Sequence, residues 1–398
     1  MIGLTVGRIF GTDVRIHWTW VPIMAFIAVV FSLDLSSGSS PAWPAPLAWS
    51  SSVSTAVLVL GSVIVHELAH VKVARRNGQE LPVVVVQLLG GPYVMELKPK
   101  SAGEEFRVAM AGSVVSLLLA AAFGTVTAIL VLGPDAQNNA PDAIEAIVFV
   151  ATMVAAFNLF LGVVNLVPGY PLDGARALHA IAWNRTGQEA AASATTIRIS
   201  RYVGMGLIIV GAMTIAFVDP VTGLCLAVAG WLVMSSSRFL DRRSGLQNLI
   251  AGLHVSDAED TDPARVPPQL TLDVFAADYL ADRLGGAALV EHGADLLGLI
   301  GTAQIRRIPR RIWTQTRTED AMVGIEKVPK LPGDTDLWSA LEVLERSGLD
   351  ALVVSPGGAA TVLLTRRSVA QLVHEKVDER QRQLAALGQI RKNRFRGR

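Results

Sequence analysis

The stretch VIVHELAHVKVARR, residues 63–76, carries two histidines and a glutamate inside a run that otherwise has the composition of a membrane-spanning helix. His66 and His70 are four residues apart, so both imidazoles lie on one helix face and can reach one metal ion, with Glu67 bordering that face. Ionisable side chains within a span cost a few kcal/mol each and mark functional sites. The pattern predicts a metal site inside the membrane. The competing interpretation is an interfacial helix end, where polar residues cost less.

The composition of the whole chain favours a membrane protein. Of its 398 residues, 51% are hydrophobic and 17% are charged, and the mean hydropathy is +0.43. The formal net charge of +1 gives no argument for a nucleic-acid partner. The single cysteine, Cys225, cannot form an internal disulfide. The first apolar run has no clear cleavage site, so we expect a retained first span rather than a signal peptide.

Apolar runs predict about six transmembrane helices. Four lie near residues 17–34, 52–74, 106–133 and 143–167, and a run from about 200 to 238 is broken at 218–222, as in a hairpin of two spans. The segments expected on one side of the membrane contain no Lys or Arg, whereas those on the other side contain many. The positive-inside rule therefore predicts an integral cell-membrane protein with both termini in the cytosol.

After residue 243 the long apolar runs end. We expect a transmembrane domain over 1–243, a linker over 244–254, a soluble α/β region over 255–375 and a basic tail over 376–398. The segments 285–305 and 349–369 repeat one pattern of strand, Gly-containing turn, strand and helix, and each follows an amphipathic helix. The tail is either a solvated helix or a contact with anionic lipid headgroups.

The best third metal ligand is Asp173, in NLVPGYPLDGARAL, residues 165–178. Pro168 and Pro171 forbid a regular helix there, so the backbone breaks where the fourth span reaches the cytosolic side. A carboxylate at this break can turn toward His66 and His70. Alternatively, Asp173 caps the helix that follows it.

HELAH in one span and NLVPGYPLDG about 100 residues later resemble the site-2 protease family of intramembrane zinc metalloproteases (M50-type). The resemblance covers residues 1 to about 240. It implies one Zn²⁺ per chain held by His66, His70 and Asp173, with Glu67 as general base and acid. It also implies that Asn165 contacts the substrate backbone or the developing oxyanion; the alternative is that Asn165 satisfies the broken helix. The implied substrates are transmembrane segments of membrane-bound regulatory proteins.

Residues 81–99 are too short for two spans, and their Val run favours strands. Gly90 and Gly91 would form the turn of a hairpin. In the family such a hairpin dips into the membrane, and its edge can pair with an unwound substrate. An ordinary amphipathic connector is the alternative.

In the third span, Ser113 and Ser116 occupy positions where family members often have AGP followed by an asparagine. We interpret these small residues as helix-packing positions.

The repeats resemble a tandem pair of cystathionine-β-synthase-type (CBS) modules, which commonly bind adenine nucleotides. The Asp expected in the ribose contact is absent from both copies, which have Gly301 and Gln304 in one and Thr365 and Ser368 in the other. Nucleotide binding therefore competes with a role in homodimerisation or substrate gating.

The sequence thus predicts a polytopic α-helical membrane protein with a re-entrant β-hairpin and a C-terminal α/β tandem CBS domain. The predicted function is intramembrane proteolysis. The alternative is a non-proteolytic metal sensor or transporter with a CBS regulatory module, because intramembrane acids and histidines also mark ion pathways.

Overall fold

The structure, a computed structural model, describes residues 3–38, 42–79, 81, 83–87, 99–133, 142–260, 262–280, 286–293, 295–355, 362–379 and 382. The chain divides into two compact units, residues 1–241 and 242–398. The boundary falls within one long helix.

Within the described residues, six helices are long and apolar enough to cross a membrane, as predicted. The longest, α2, has 32 residues and is about 48 Å long, more than the roughly 30 Å of the hydrocarbon core. Its last turn carries Arg75 and Arg76. The six are α1 (Trp20–Leu33, continued as a π-helical segment so that the span reaches Ser37), α2 (Ala45–Arg76), α3 (Ala102–Leu132), α4 (Asp142–Val164), α6 (Glu189–Phe217) and α7 (Pro220–Leu249). The shorter α5 (Asp173–Thr186) lies between α4 and α6 in the chain.

A three-stranded sheet lies beside α2. Strands β1 (Leu4–Ile9) and β2 (Thr12–Ile16) form an antiparallel hairpin, and β3 (Val83–Val86) pairs with β2 in parallel. Val14 and Val86 pack against Val63 and Leu68 of α2, next to the HELAH motif. The Val run predicts the strand β3, as observed. The N-terminal hairpin was not predicted, because β1 is largely exposed and its residues resemble those that precede a transmembrane helix.

The predicted break after the fourth span is confirmed, since α4 ends at Val164 and α5 begins at Asp173. Gly174 makes this break compact. Its N–H donates to the Asn165 carbonyl at 2.6 Å, and a Cβ at Gly174 would lie 2.5 Å from the Val167 carbonyl oxygen. Because no side chain fits here, the first turn of α5 packs directly on the backbone that follows α4.

The predicted hairpin of two spans is also confirmed, as α6 and α7. Its helices approach closely through glycines: a Cβ at Gly204 would lie 2.9 Å from the Gly230 carbonyl oxygen, and one at Gly211 would lie 2.7 Å from the Gly223 carbonyl oxygen. The turn is stabilised by Asp219, whose carboxylate accepts from the Thr222 N–H at 2.7 Å.

The second unit contains the two predicted repeats. The first has β5 (Ala287–His292), β6 (Asp295–Gly301) and a helical turn at Thr302–Ile305. The second has β9 (Ala351–Ser355), β10 (Val362–Thr365) and a helix through residues 366–379. One sheet orders β4 (Ala264–Val266), β5, β6 and β7 (Val323–Gly324), and the other orders β8 (Lys330–Pro332), β9 and β10.

The two repeats share a hydrophobic core, in which Leu289 and Leu299 pack with Ala351 and Leu363. The amphipathic helix before the second repeat is Leu337–Ser347, and helical structure over Leu272–Leu280 precedes the first. Residues 244–254, predicted as a linker, include the end of α7 at Leu249, and Ile250 is fully buried in the core of this unit.

Candidate metal centre

Three polar side chains meet between α2 and the start of α5. The Oδ2 atom of Asp173 lies 3.2 Å from His66 Nε2 and 3.1 Å from His70 Nε2, and the two Nε2 atoms are 3.3 Å apart. All three residues are buried, with 4%, 4% and 8% of their surfaces exposed for His66, His70 and Asp173. The structure brings together the three residues that the sequence analysis grouped.

These separations fit a zinc ion. Zinc binds histidine nitrogen and carboxylate oxygen at about 2.0–2.2 Å in tetrahedral geometry, which places neighbouring ligand atoms about 3.3 Å apart. The three observed distances lie close to that value. Two imidazoles and one carboxylate also form the donor set of a catalytic zinc site, which keeps its fourth position open.

Helix α3 fixes the orientation of both imidazoles. The Nδ1 of His70 lies 2.7 Å from the Val108 carbonyl oxygen, which can only accept, so this nitrogen carries a proton. In the neutral ring, Nε2 is then the nitrogen that can bind a metal. The Nδ1 of His66 lies 2.9 Å from the Ser116 hydroxyl. These outer contacts turn both Nε2 atoms toward Asp173.

Between these two contacts, Gly112 leaves the space that the site needs. A Cβ at Gly112 would lie 2.6 Å from His66 Nε2 and closer still to His70 Nε2. Residues 108, 112 and 116 are spaced by four, so one face of α3 borders the site. The sequence predicts only a packing role for Ser116 and gives no role to Gly112. Their spacing of four in α3 indicates a shared face, but only the contact of α3 with α2 shows that this face borders the site.

Asp173 is the first residue of α5, and its position rules out the helix-cap alternative. The N-cap is Leu172, whose backbone is extended, and no side chain caps this helix. The Asp173 carboxylate instead points to the two histidines. The helix that follows Asp173 starts in this place because Gly174 lets it pack on the backbone of residues 165–167.

Of the other predicted site residues, the structure describes Glu67 and Asn165 but not the two glycines. Glu67 lies between the two histidines on α2, is partly exposed, and has no hydrogen-bond partner among the described residues. Asn165 donates from Nδ2 to the Leu161 carbonyl at 2.9 Å, which uses one of its two amide hydrogens, so both predicted roles stay open. Gly90 and Gly91 lie outside the described residues, as does the predicted turn between them.

A second buried polar group holds α5 in place. His179 Nδ1 lies 2.8 Å from Glu105 Oε2 at the start of α3, and His179 Nε2 lies 3.0 Å from the Ser193 hydroxyl of α6. Burial lowers the pKa of His179, but the hydrogen bond to Glu105 and the negative charges of Glu105 and Glu189 act in the opposite direction, and the net pKa is raised above its ordinary value. This group therefore ties the helix that carries Asp173 to both of its neighbours.

Comparison with known proteins matches this chain to zinc metalloproteases. The model of "Peptidase family M50" matches residues 54–148 and again 127–211. The "Putative zinc metalloprotease Rip3" of Mycobacterium tuberculosis is 30% identical over 93% of this chain and 92% of its own.

Two solved structures also match. The site-2 protease from Methanocaldococcus jannaschii has a TM-score of 0.40 and 20% identity, over 60% of this chain and 95% of its own. The CBS domain of the bacterial CNNM/CorC family Mg²⁺ transporter has a TM-score of 0.27 and 16% identity, over 33% of this chain and 83% of its own.

Proposed function

Because the chain belongs to peptidase family M50, we propose that His66, His70 and Asp173 hold its zinc ion, one per chain, and that Glu67 is the catalytic base. As a member of this family, the chain is an integral membrane protein and a zinc-dependent intramembrane protease. The observation that carries the residue assignment is the convergence of three buried ligand atoms at 3.1–3.3 Å.

When bound, zinc lowers the pKa of a coordinated water toward about 7 and polarises a carbonyl group. The protein supplies the remaining chemistry. Glu67 borders the metal-binding face of α2, and its carboxylate is not committed to another described residue. It accepts a proton from the attacking water and delivers that proton to the amide nitrogen as the peptide bond breaks. The contacts from α3 keep His66 and His70 oriented during this exchange.

The test is cleavage of a single-span substrate by the purified full-length protein and by Glu67→Gln. We expect the variant to keep its zinc and to lose cleavage. Glu145→Gln changes an exposed carboxylate of α4 and is the matched control, expected to cleave at the wild-type rate. Wild-type cleavage by zinc-loaded Glu67→Gln would show that another group is the base.

We propose that the substrates are transmembrane segments of regulatory proteins and that they are cut near the cytosolic face of the membrane. We propose that both termini lie in the cytosol, because one set of loops and chain ends holds nearly all the Lys and Arg between the spans, and the positive-inside rule favours the cytosol for that set. The basic tail over 376–398 would then contact anionic headgroups. Family membership favours proteolysis over the alternative of a metal sensor or transporter.

We further propose that the C-terminal repeats, taken as a CBS pair, act through protein contacts, including homodimerisation, rather than through adenine nucleotides. In the second repeat the Thr365 hydroxyl accepts from the Ser368 N–H at 2.9 Å and so caps its own helix. In the first repeat the Ala303 N–H, in the turn after β6, donates at 2.5 Å to the carboxylate of Asp350, which comes from the second repeat.

Thermal unfolding of the full-length protein with ATP checks this proposal. A ligand present at 100 times its Kd stabilises the folded state by about 2.7 kcal/mol. If ATP bound with a Kd near 10 μM, about 1 mM ATP would be 100 times that Kd and would give this stabilisation. We expect no shift of the unfolding temperature at this ATP concentration. A clear upward shift would contradict the proposal.

A further inference from the structure

Helix α5 carries Asp173 at its first residue and His179 six residues later, about 9 Å further along the helix axis. His179 bonds α5 to the helices beside it. Its Nδ1 donates to Glu105 Oε2 of α3 at 2.8 Å, because a carboxylate can only accept, and its Nε2 lies 3.0 Å from the Ser193 hydroxyl of α6. Among the residues that the structure describes, no other side chain of α5 forms a hydrogen bond to α3 or α6.

The pair formed by His179 and Glu105 is better suited to orienting α5 than to stabilising the fold. Both residues are buried, with 6% and 7% of their surfaces exposed. A buried ionisable pair adds little to overall stability, because apolar residues of similar volume often stabilise a fold as well or better. Apolar packing is non-directional, however, whereas a hydrogen bond fixes a distance and an angle. We therefore expect this pair to serve a position that must be exact.

The same turn of α3 is bonded to the other half of the metal centre. Glu105 lies three residues before Val108, so the two are neighbours on one side of α3. The Val108 carbonyl accepts from His70 Nδ1 at 2.7 Å, and the Glu105 carboxylate accepts from His179. Helix α2, with its histidines, and helix α5, with Asp173, are thus both bonded to one turn of α3. This turn relates the position of Asp173 to that of His70.

The metal centre is sensitive to small rotations of α5. A helix with its side chains has a radius of about 5–6 Å, so a rotation of about 2° moves the end of a side chain by about 0.2 Å and one of about 10° moves it by about 1 Å. Metal sites tolerate ligand displacements of about 0.2 Å. His179 is about 240° around the helix from Asp173, so a bond at His179 holds a different side of α5 and resists such rotation.

From this arrangement we propose that His179 is a positioning residue that, through Glu105, holds the Asp173 carboxylate where it binds zinc. The proposal rests on the metal ligands assigned under the proposed function and deepens that assignment. His179 does not bind the ion, and no bond is made or broken at its ring. Zinc affinity and kcat should therefore depend on His179, whereas KM for the substrate should not.

The experiment measures zinc affinity by chelator competition in the full-length protein, at a temperature at which wild type and all variants are folded. Loss of an outer contact to a metal site typically costs about 10–100-fold in affinity, and we expect that loss in His179→Ala. The amide of His179→Asn can donate to Glu105 from near the place of Nδ1, so this variant should bind zinc about 10-fold more tightly than His179→Ala.

Thr55→Ala is the matched control for a general loss of stability. Thr55 is buried on α2, about 16 Å along the helix from His66, and its hydroxyl donates to the Ser51 carbonyl of the same helix. We expect Thr55→Ala to unfold at a lower temperature than wild type and to bind zinc with wild-type affinity.

Three further measurements separate positioning from stability. Co²⁺ bound in place of zinc absorbs visible light according to its ligand geometry, so its spectrum should change in His179→Ala and match wild type in Thr55→Ala. The double variant Glu105→Leu/His179→Leu leaves no unpaired buried charge and should stay folded, yet lose zinc affinity as His179→Ala does. At saturating zinc, kcat of the double variant for a single-span substrate should fall by about 10–100-fold with KM changed little.

Wild-type zinc affinity in His179→Ala or in the double variant would overturn the proposal. An unchanged Co²⁺ spectrum, no recovery in His179→Asn or an equal loss of affinity in Thr55→Ala would also overturn it. These measurements do not depend on proteolysis. If wild type binds zinc but cleaves no single-span substrate, the proposed function fails, and zinc affinity still decides the role of His179. If wild type cleaves, Glu67→Gln does not, and His179→Ala binds zinc normally, only the role of His179 is refuted.

Discussion

Gly112 of α3 is the position at which the smallest chemical change should have the largest effect on the metal centre. In the Gly112→Ala variant, the added methyl group would lie 2.6 Å from His66 Nε2 and closer to His70 Nε2. These distances are well below an ordinary contact, and they place the methyl group beside the two nitrogen atoms that would bind zinc at about 2.0–2.1 Å. The methyl group would therefore compete with the metal for the same space.

The structure also sets the scale of the effect. An ordinary contact begins near 3.4 Å, so relief of the clash needs a movement of about 0.8 Å or more at His66 alone. Metal sites tolerate ligand displacements of about 0.2 Å. Loss of an outer contact alone costs about 10–100-fold in metal affinity. We therefore expect Gly112→Ala to lose more than about 100-fold, equivalent to about 2.7 kcal/mol.

The assay is zinc content after dialysis against a graded series of chelator concentrations, followed by cleavage of a single-span substrate. Gly124→Ala is the matched control, because it lies on the same helix and its Cβ would meet no atom within 4 Å. Because the clash is present without zinc as well, the metal-free variant should unfold at a lower temperature than metal-free wild type. Zinc affinity is therefore compared at a temperature at which both proteins are folded. If Gly112→Ala keeps zinc with wild-type affinity and cleaves at the wild-type rate, this account of the site is wrong.

Two further expectations concern the residues that hold the site. Ser116→Ala removes the contact to His66 Nδ1 without a change of size, and we expect a loss of about 10–100-fold in zinc affinity, measured by chelator competition. For His179→Gln, the destabilisation relative to wild type should depend on pH. Glu105 and Glu189 raise the folded-state pKa of His179. The stabilisation that protonated His179 gives to the folded state is therefore fully present below the ordinary pKa of 6.5, and it is lost as the pH rises through the raised pKa. Thermal unfolding of both proteins at several pH values should show a difference that narrows with rising pH; a gap that widens would contradict this assignment.

The parts of the site that the sequence predicted are those set by local geometry. His66 and His70 share a helix face because their spacing fixes it, and no tertiary information is needed. Asp173 was predicted because Pro168 and Pro171 forbid a continuous helix, which leaves a carboxylate free to turn. In both cases the residue types and spacings are unusual for a span, so the signal stands out from the apolar background.

The contribution of α3 could not be predicted in the same way. A backbone carbonyl such as that of Val108 is present at every position, and Gly112 and Ser116 have the composition of any closely packed membrane helix. Their spacing of four acquires meaning only when α3 is known to lie against α2. The N-terminal hairpin was missed for a related reason: β2 finds its parallel partner in β3, more than 60 residues away, and no local pattern encodes that pairing.

The orientation of the buried groups favours the proposed cation site over a structural network. Metal binding requires the neutral form of His70, which donates from Nδ1 to the Val108 carbonyl oxygen and keeps a lone pair on Nε2, 3.1 Å from an Asp173 carboxylate oxygen. In the same neutral form, His66 Nε2 completes a triangle of three acceptor atoms. Acceptors held this close repel one another unless a cation or a proton lies between them, and their burial adds the cost of lost hydration. A bound metal removes both penalties, because its ligands must be deprotonated and converge as these three do. In the proposed assignment, one bound ion offsets the cost of burying two histidines and an acid within a membrane protein, and the contacts from α3 hold the two imidazoles in the orientation that this ion needs.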